Sequence, residues 1–199
     1  MRKSLLIPLA LTATLVSGPT LADWSLDPSR SAVTYVTIKA KDVAENNSFT
    51  EMQGGIDASG QVEVLLMLDS VETLVPIRNE RMREILFKTT DYQEARLSAK
   101  VDPKAITDLP VGGIAQIAAE GNLTLHGKTQ PMTLSIQVAK LADGSLMAAT
   151  TKPLLVDAAK FGLSDGVEKL REIAGLDSIS DAVPVTFVGT FVPAPSAAD

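Results

Sequence analysis

Apolar and polar residues alternate with a period of two along most of the chain. In QVEVLLMLD (61–69), Val62, Val64, Leu66 and Leu68 share a face opposite Gln61 and Glu63. In EARLSAKV (94–101), Ala95, Leu97, Ala99 and Val101 alternate with Arg96, Ser98 and Lys100. The same rhythm places Ala115, Ile117, Ala119, Gly121, Leu123 and Leu125 on one face, and Met132, Leu134, Ile136 and Val138 on one face of the following segment. Near the end, Val183, Val185, Phe187, Gly189 and Phe191 line up likewise. Such patterns, separated by turn residues, predict antiparallel strands with one buried face. Segments 32–40, 48–56 and 145–156 extend the set to about eight strands, enough to close a barrel around side chains or one small ligand. The fold class expected is therefore all-β.

Two stretches change period. PIRNERMREILFKTTDY (76–92) opens on proline and sets Met82, Ile85 and Leu86 on one side at helical spacing. SDGVEKLREIAG (164–175) offers Ser164 or Asp165 as a cap, then Val167, Leu170 and Ile173, and ends at Gly175. Two short helices inserted between strands are expected. The inward positions Ala95, Ala99, Ala115, Ala119 and Gly121 are small for a solid barrel. They leave an apolar void, or a large side chain from a neighbouring strand fills the gap; the pattern alone keeps both open.

Composition adds a destination. Arg2 and Lys3 precede the apolar run SLLIPLALTATLVSG, and Thr20 and Ala22 suit the −3 and −1 positions of a signal-peptidase site. The reading is a secretory leader over 1–22, a single domain over 23–192 and a frayed tail over 193–199. Losing Arg2 and Lys3 with the leader takes the net charge from −6 to −8. That charge argues against nucleic acid and anionic membrane surfaces as main partners. With no cysteine there is no disulfide, thiol nucleophile or thiolate metal site. An exported, periplasmic protein without stable membrane insertion after cleavage is expected, and a homodimer is left open.

The chain's one histidine, His126, stands in GNLTLHGKTQPMTL (121–134). Leu125 ends one strand and Pro131, tolerated at a strand's first residue, opens the next, so HGKTQ must reverse the chain, with Gly127 supplying a positive φ. His126 is read as a turn residue rather than a base, because only Thr124 lies within reach and nothing activates it. One histidine cannot form a typical metal site, and no paired carboxylates are forced into a desolvated cleft. No catalytic residue and no metal are assigned.

That hairpin resembles the hairpin of the YceI-like family, lipocalin-like periplasmic proteins that bind polyisoprenoid lipids. WSLDPSRSAVTYV (24–36) is similar to the family's first strand. DSVETLVPIRNERMREILF (69–87) is similar to its aspartate–serine–valine segment and arginine-rich helix. FGLSDG (161–166) and VPVTFVGTF (183–191) resemble its late turn and closing strand. The resemblance implies a lipocalin-like barrel holding a long-chain isoprenoid lipid or isoprenoid quinone, with no other cofactor. It also shows a departure: where relatives often carry histidines in the first strand and the helix, this chain has Arg30, Lys39 and Arg81.

Under that reading the lipid is expected against Tyr35, Leu66 and Leu68, and against Met82, Ile85 and Phe87 of the first helix. Leu97, Ala99, Ala119, Leu123 and Leu134 continue the wall, with Phe161 and Phe187 from the later turn and closing strand. Arg78 and Arg81, three apart on one helical face, could hold the head group, or pair ordinarily with Glu80, Glu84 or Asp69. Two other functions fit the same pattern: an enzyme using the barrel to position a small apolar substrate, and a solid barrel serving as a protein-interaction module.

Overall fold

The computed structural model describes residues 22–194. The predicted leader lies outside the described residues except for Ala22, which begins the first strand, and most of the predicted tail lies outside them too. Eleven strands form one antiparallel sheet. They are β1 (Ala22–Lys39), β2 (Val43–Phe49), β3 (Met52–Asp57), β4 (Gln61–Met67), β5 (Val71–Glu72), β6 (Glu94–Lys100), β7 (Ile114–Leu125), β8 (Lys128–Lys140), β9 (Leu146–Thr150), β10 (Leu154–Asp157) and β11 (Ala182–Pro193). Neighbouring strands run in the order β1, β3, β4, β6, β7, β8, β9, β11, and β11 pairs with β1 to close an 8-strand barrel. Closure removes the exposed edges that an open sheet of this length would carry.

Two predicted strands are each broken in two. Segment 48–56 divides at Thr50–Glu51, where Thr50 N–H donates to Ser70 O (3.1 Å) and Glu51 O accepts from Met67 N–H (3.0 Å). The first piece, β2, pairs with the far half of β1 (Val33↔Phe49), and β3 pairs with its beginning (Trp24↔Ile56). Segment 145–156 divides at Thr151–Pro153, the proline being unable to donate to a ladder. β9 pairs with the second half of β11 and β10 with its first half. The long strands β1 and β11 thus carry one set of neighbours at one end and another set at the other. The sequence pattern shows the strands but not this exchange of partners. The closing strand also runs on to Pro193, opposite Trp24, past the domain end predicted at 192.

The first helix, α1 (Pro76–Arg81), passes directly into a π-helical turn over Met82–Phe87 and stops at Lys88, which takes φ 50°. A short helix, α2 (Lys104–Thr107), is absent from the sequence pattern, and α3 (Ser164–Ala174) follows the expected span to Gly175, but Leu163 stands at the cap position and neither Ser164 nor Asp165 caps it: Ser164 Oγ donates to Asp181 Oδ2 (3.3 Å) instead. α3 lies against the π-turn through Gly166, where a Cβ would stand 3.1 Å from both Ile85 O and Leu86 Cα. Together the two helices cover one end of the barrel. The other end is filled: Leu26, Ile56, Val64, Ile106, Val138, Leu146 and Phe191 form a continuous buried cluster there.

Candidate functional site

Between the helical cover and the filled end the barrel encloses a cavity of about 410 Å³, within the size range of small-molecule sites. Its walls are almost wholly apolar. One row crosses three strands in register, Val64↔Leu97↔Leu123, and the next sets Leu66 opposite Ala95. Tyr35, Phe49 and Phe87 form an aromatic series on the opposite side, with ring centroids 5.4 and 5.8 Å apart. Phe187, Val185 and Val156 complete the strand wall, Leu68 joins it from the short turn Leu68–Ser70, and Met82, Leu86, Val167 and Leu170 close it from the helices.

Five residues predicted for this wall lie elsewhere. Ile85 does not reach the cavity, while Leu86 does. The π-turn adds a residue to the helical turn, so the side of Met82 is shared four and five positions on rather than three. Ala99, Ala119 and Leu134 pack against one another in a separate buried cluster below the cavity. A Cβ built at the intervening Gly121 would lie 3.2 Å from Ala99 Cβ and 3.4 Å from Leu134 Cδ1. Small residues there permit close strand approach under Leu134, so the gap is filled rather than hollow. Phe161 is almost completely buried in the short turn Ala158–Phe161, and its neighbours Ala158 and Leu163 face the cavity instead.

The polar groups of the cavity cluster at its mouth. Lys39 Nζ lies 2.8 Å from Glu45 Oε1, and Arg78 Nη1 lies 2.6 Å from Glu45 Oε2. Arg78 also donates to Thr73 O (2.6 Å), and its Nε is buried without a partner. The predicted alternatives for Arg78, pairing with Glu80, Glu84 or Asp69, are replaced by Glu45. Glu45 stands on β2 and lines the cavity. The Lys39 hydrogen bond, helped by the Arg78 charge, holds the Glu45 carboxyl below the usual range against the opposing effect of burial. Arg81 lines the mouth too, and among the described residues its side chain has no ion-pair partner. Of Arg30, Lys39 and Arg81, both Lys39 and Arg81 line the cavity. Arg30 lies at the other end, 3.2 Å from Asp143 Oδ2.

Further polar groups line the wall, with buried Asn47 donating its Nδ2 to Thr37 Oγ1 (3.1 Å). The Tyr35 hydroxyl is buried, and it donates to Met82 Sδ at 3.8 Å, a weak acceptor. Burial pushes its pKa well up, against a smaller opposing effect of the Arg78 charge, so the phenol stays protonated and able to donate. Signals for Glu45 and Phe49 are absent from the sequence pattern because their placement depends on the break between β2 and β3.

His126 does not line the cavity, although its neighbour Leu125 does. His126 takes φ 51° and Gly127 takes φ 71°, making a two-residue turn between the paired residues Leu125 and Lys128; the next strand therefore opens at Lys128, not at the predicted Pro131, and Lys128, Thr129 and Gln130 are paired strand rather than turn. Its ring packs 4.2 Å from that of Tyr92.

The wall is not evenly closed. β9 pairs with β8 only from Ile136 onward, and β10 pairs only with β11. A fissure between β8 and β10 is bordered by Pro131, Thr133, Ser135, Lys152, Pro153 and Leu155. Met132 and Leu154 border both this fissure and the cavity.

Comparison with known proteins gives a consistent picture. A YceI-like domain matches residues 24–191. A polyisoprenoid-binding domain from Saccharophagus degradans, implicated in plant cell wall breakdown, is 34% identical with a TM-score of 0.85, over 87% of this chain and 100% of that one. BcnA from Burkholderia cenocepacia has the same fold at 20% identity, with a TM-score of 0.64 over 83% of this chain and 98% of that one. The Campylobacter jejuni YceI protein is a more distant match in fold, at 16% identity and a TM-score of 0.51 over 75% of this chain and 85% of that one. A partial likeness of another kind is to one component of the Streptococcus gordonii aspartyl/glutamyl-tRNA(Asn/Gln) amidotransferase, 34% identical over 93 residues. That match takes in 46% of this chain, which spans about a fifth of that component's length (19%).

Proposed function

The chain belongs to the YceI-like family, and we propose that it is an exported, periplasmic protein that sequesters one long-chain isoprenoid lipid or isoprenoid quinone in its barrel. The observation that carries this reading is the apolar cavity, closed at one end by the filled core and rimmed at the other by Lys39, Arg78 and Arg81. Each CH₂ moved from water into such a cavity contributes about 0.8 kcal/mol. The polar end of the ligand then lies at the mouth, where Arg81 and the unpartnered Nε of Arg78 can donate to an anionic or carbonyl oxygen. The 34% identical polyisoprenoid-binding domain from Saccharophagus degradans supports the choice of lipid.

Binding is favoured over catalysis by the character of the titratable groups. Glu45 is held ionised between two cations, and Tyr35 is held protonated by burial. Neither is poised to exchange a proton near neutral pH, as general acid–base work requires. The bound lipid itself is the only cofactor proposed. The test is mass spectrometry of lipids that survive gentle purification from the native host. Recovery of a polyprenyl compound in near-stoichiometric amount is expected; an empty cavity, together with failure to bind added isoprenoids, would overturn the reading.

A further inference from the structure

We propose that the fissure between β8 and β10 is a lateral portal of the cavity, through which the hydrocarbon end of a long isoprenoid leaves the barrel. This rests on the lipid-binding reading above and extends it to chain length. The fissure is bounded below by Thr151 N–H donating to Ser135 O (2.9 Å) and above by Gln130 Nε2 donating to Lys160 O (3.4 Å). Between those two bonds no backbone pairing joins the banks among the described residues.

The gap follows from the sequence of the banks. The two-residue turn makes Leu125–Lys128 a hydrogen-bonded pair, so alternate residues from Lys128 direct their backbone groups at β7. The intervening residues face the other way, as the Ser135 carbonyl does in accepting from Thr151. Pro131 belongs to this second set and has no N–H to offer across the gap. On the other bank, Pro153 precedes β10 and is equally unable to donate. A barrel closes its wall by pairing every edge, and this stretch cannot be fully paired.

What lies behind the gap gives it a use. Met132 and Leu154 turn apolar side chains to both the cavity and the fissure, and Leu155 stands outside at 71% exposure. Apolar surface therefore continues from the cavity through the wall to the outside. Met132 is unbranched and flexible, suited to yielding before a passing chain. A lipid longer than the cavity can keep its head group at the mouth and pass its tail out here, so the barrel does not act as a ruler of chain length.

The absence of cysteine makes a reversible closure feasible. Thr133 and Leu155 border the fissure without lining the cavity. In the mature protein carrying Thr133→Cys and Leu155→Cys, the banks are joined by a disulfide or by a reducible bis-methanethiosulfonate linker. Binding of farnesol and of solanesol is then measured before and after reduction, with thermal unfolding as a check on the fold. The bridged form is expected to bind farnesol as the reduced form does, and solanesol about tenfold more weakly, with full recovery on reduction. Equal binding of solanesol in bridged and reduced forms, or an equal loss for both alcohols, would overturn the portal. Failure of the unmodified protein to bind either alcohol would instead overturn the lipid-binding reading.

Discussion

Replacing Ala95 and Ala99 with phenylalanine, separately, tests where the barrel is hollow. Both alanines lie on the inward face of β6, four residues apart, and both are buried. Ala95 borders the cavity, so a phenyl ring there would enter free volume. Burying such a side chain contributes roughly 1.5–3 kcal/mol, against which lost rotamer freedom and small adjustments of the wall must be set. Ala95→Phe is therefore expected to leave stability within about 1 kcal/mol of the parent. Ala99 packs on Ala119 and Leu134 in a buried cluster apart from the cavity lining, with Gly121 close beside it. Ala99→Phe should overpack this cluster at about 1–3 kcal/mol. For a domain of this size each kcal/mol lowers Tm by roughly 2–4 °C, so the drop should be about 2–12 °C. Circular dichroism melting and isoprenoid binding are measured on the same preparations. Ala95→Phe should keep its Tm and lose the ligand, and Ala99→Phe should lose Tm. If the two variants melt alike, or Ala95→Phe still binds a long isoprenoid with parental affinity, the placement of the cavity is wrong.

Other outcomes follow from single sites. His126→Asn should change stability by less than about 1 kcal/mol and leave lipid binding intact, since asparagine suits the first position of this turn and only the packing on Tyr92 is lost; urea titration with a binding assay checks both. Arg81→Gln should fold normally and bind a pyrophosphorylated isoprenoid about tenfold more weakly, with little change for the bare hydrocarbon, as read by competition binding. Glu45 has its pKa lowered in the fold, so it contributes stability present above its unfolded pKa and lost as pH falls through the folded value; Glu45→Gln should therefore flatten the acid limb of the stability profile, measured by denaturant unfolding at stepped pH. Intact-mass measurement of the exported protein should show a chain beginning at Asp23, and a retained Met1 would contradict the leader.

The strands, the turn at His126 and both longer helices are legible in the sequence because each is a local matter. Side chains alternate along a strand whatever surrounds it, so inward faces such as Val64–Leu66 of β4 and Ala95–Leu97 of β6 can be read from one segment at a time. A hairpin turn demands positive φ within its own few residues, which Gly127 signals in the sequence, although the pairing of Lys128, Thr129 and Gln130 that shortens the turn to two residues is not signalled. The arginines of the first helix are legible as a shared face, though not their partner.

Tertiary structure alone decided the rest. Ala95 and Ala99 have the same type, strand and face, yet one borders free volume and the other lies under Leu134, because emptiness depends on which strand stands opposite. The π-turn that leaves Ile85 off the cavity lies where Gly166 of α3 approaches Ile85 and Leu86, a contact no helical period in the sequence encodes. Glu45 reaches the mouth only because β2 and β3 part company at Thr50–Glu51 and take different halves of β1. Alternation specifies on which side of its own strand a residue lies; what it meets there is set by long-range register, and no local period encodes that.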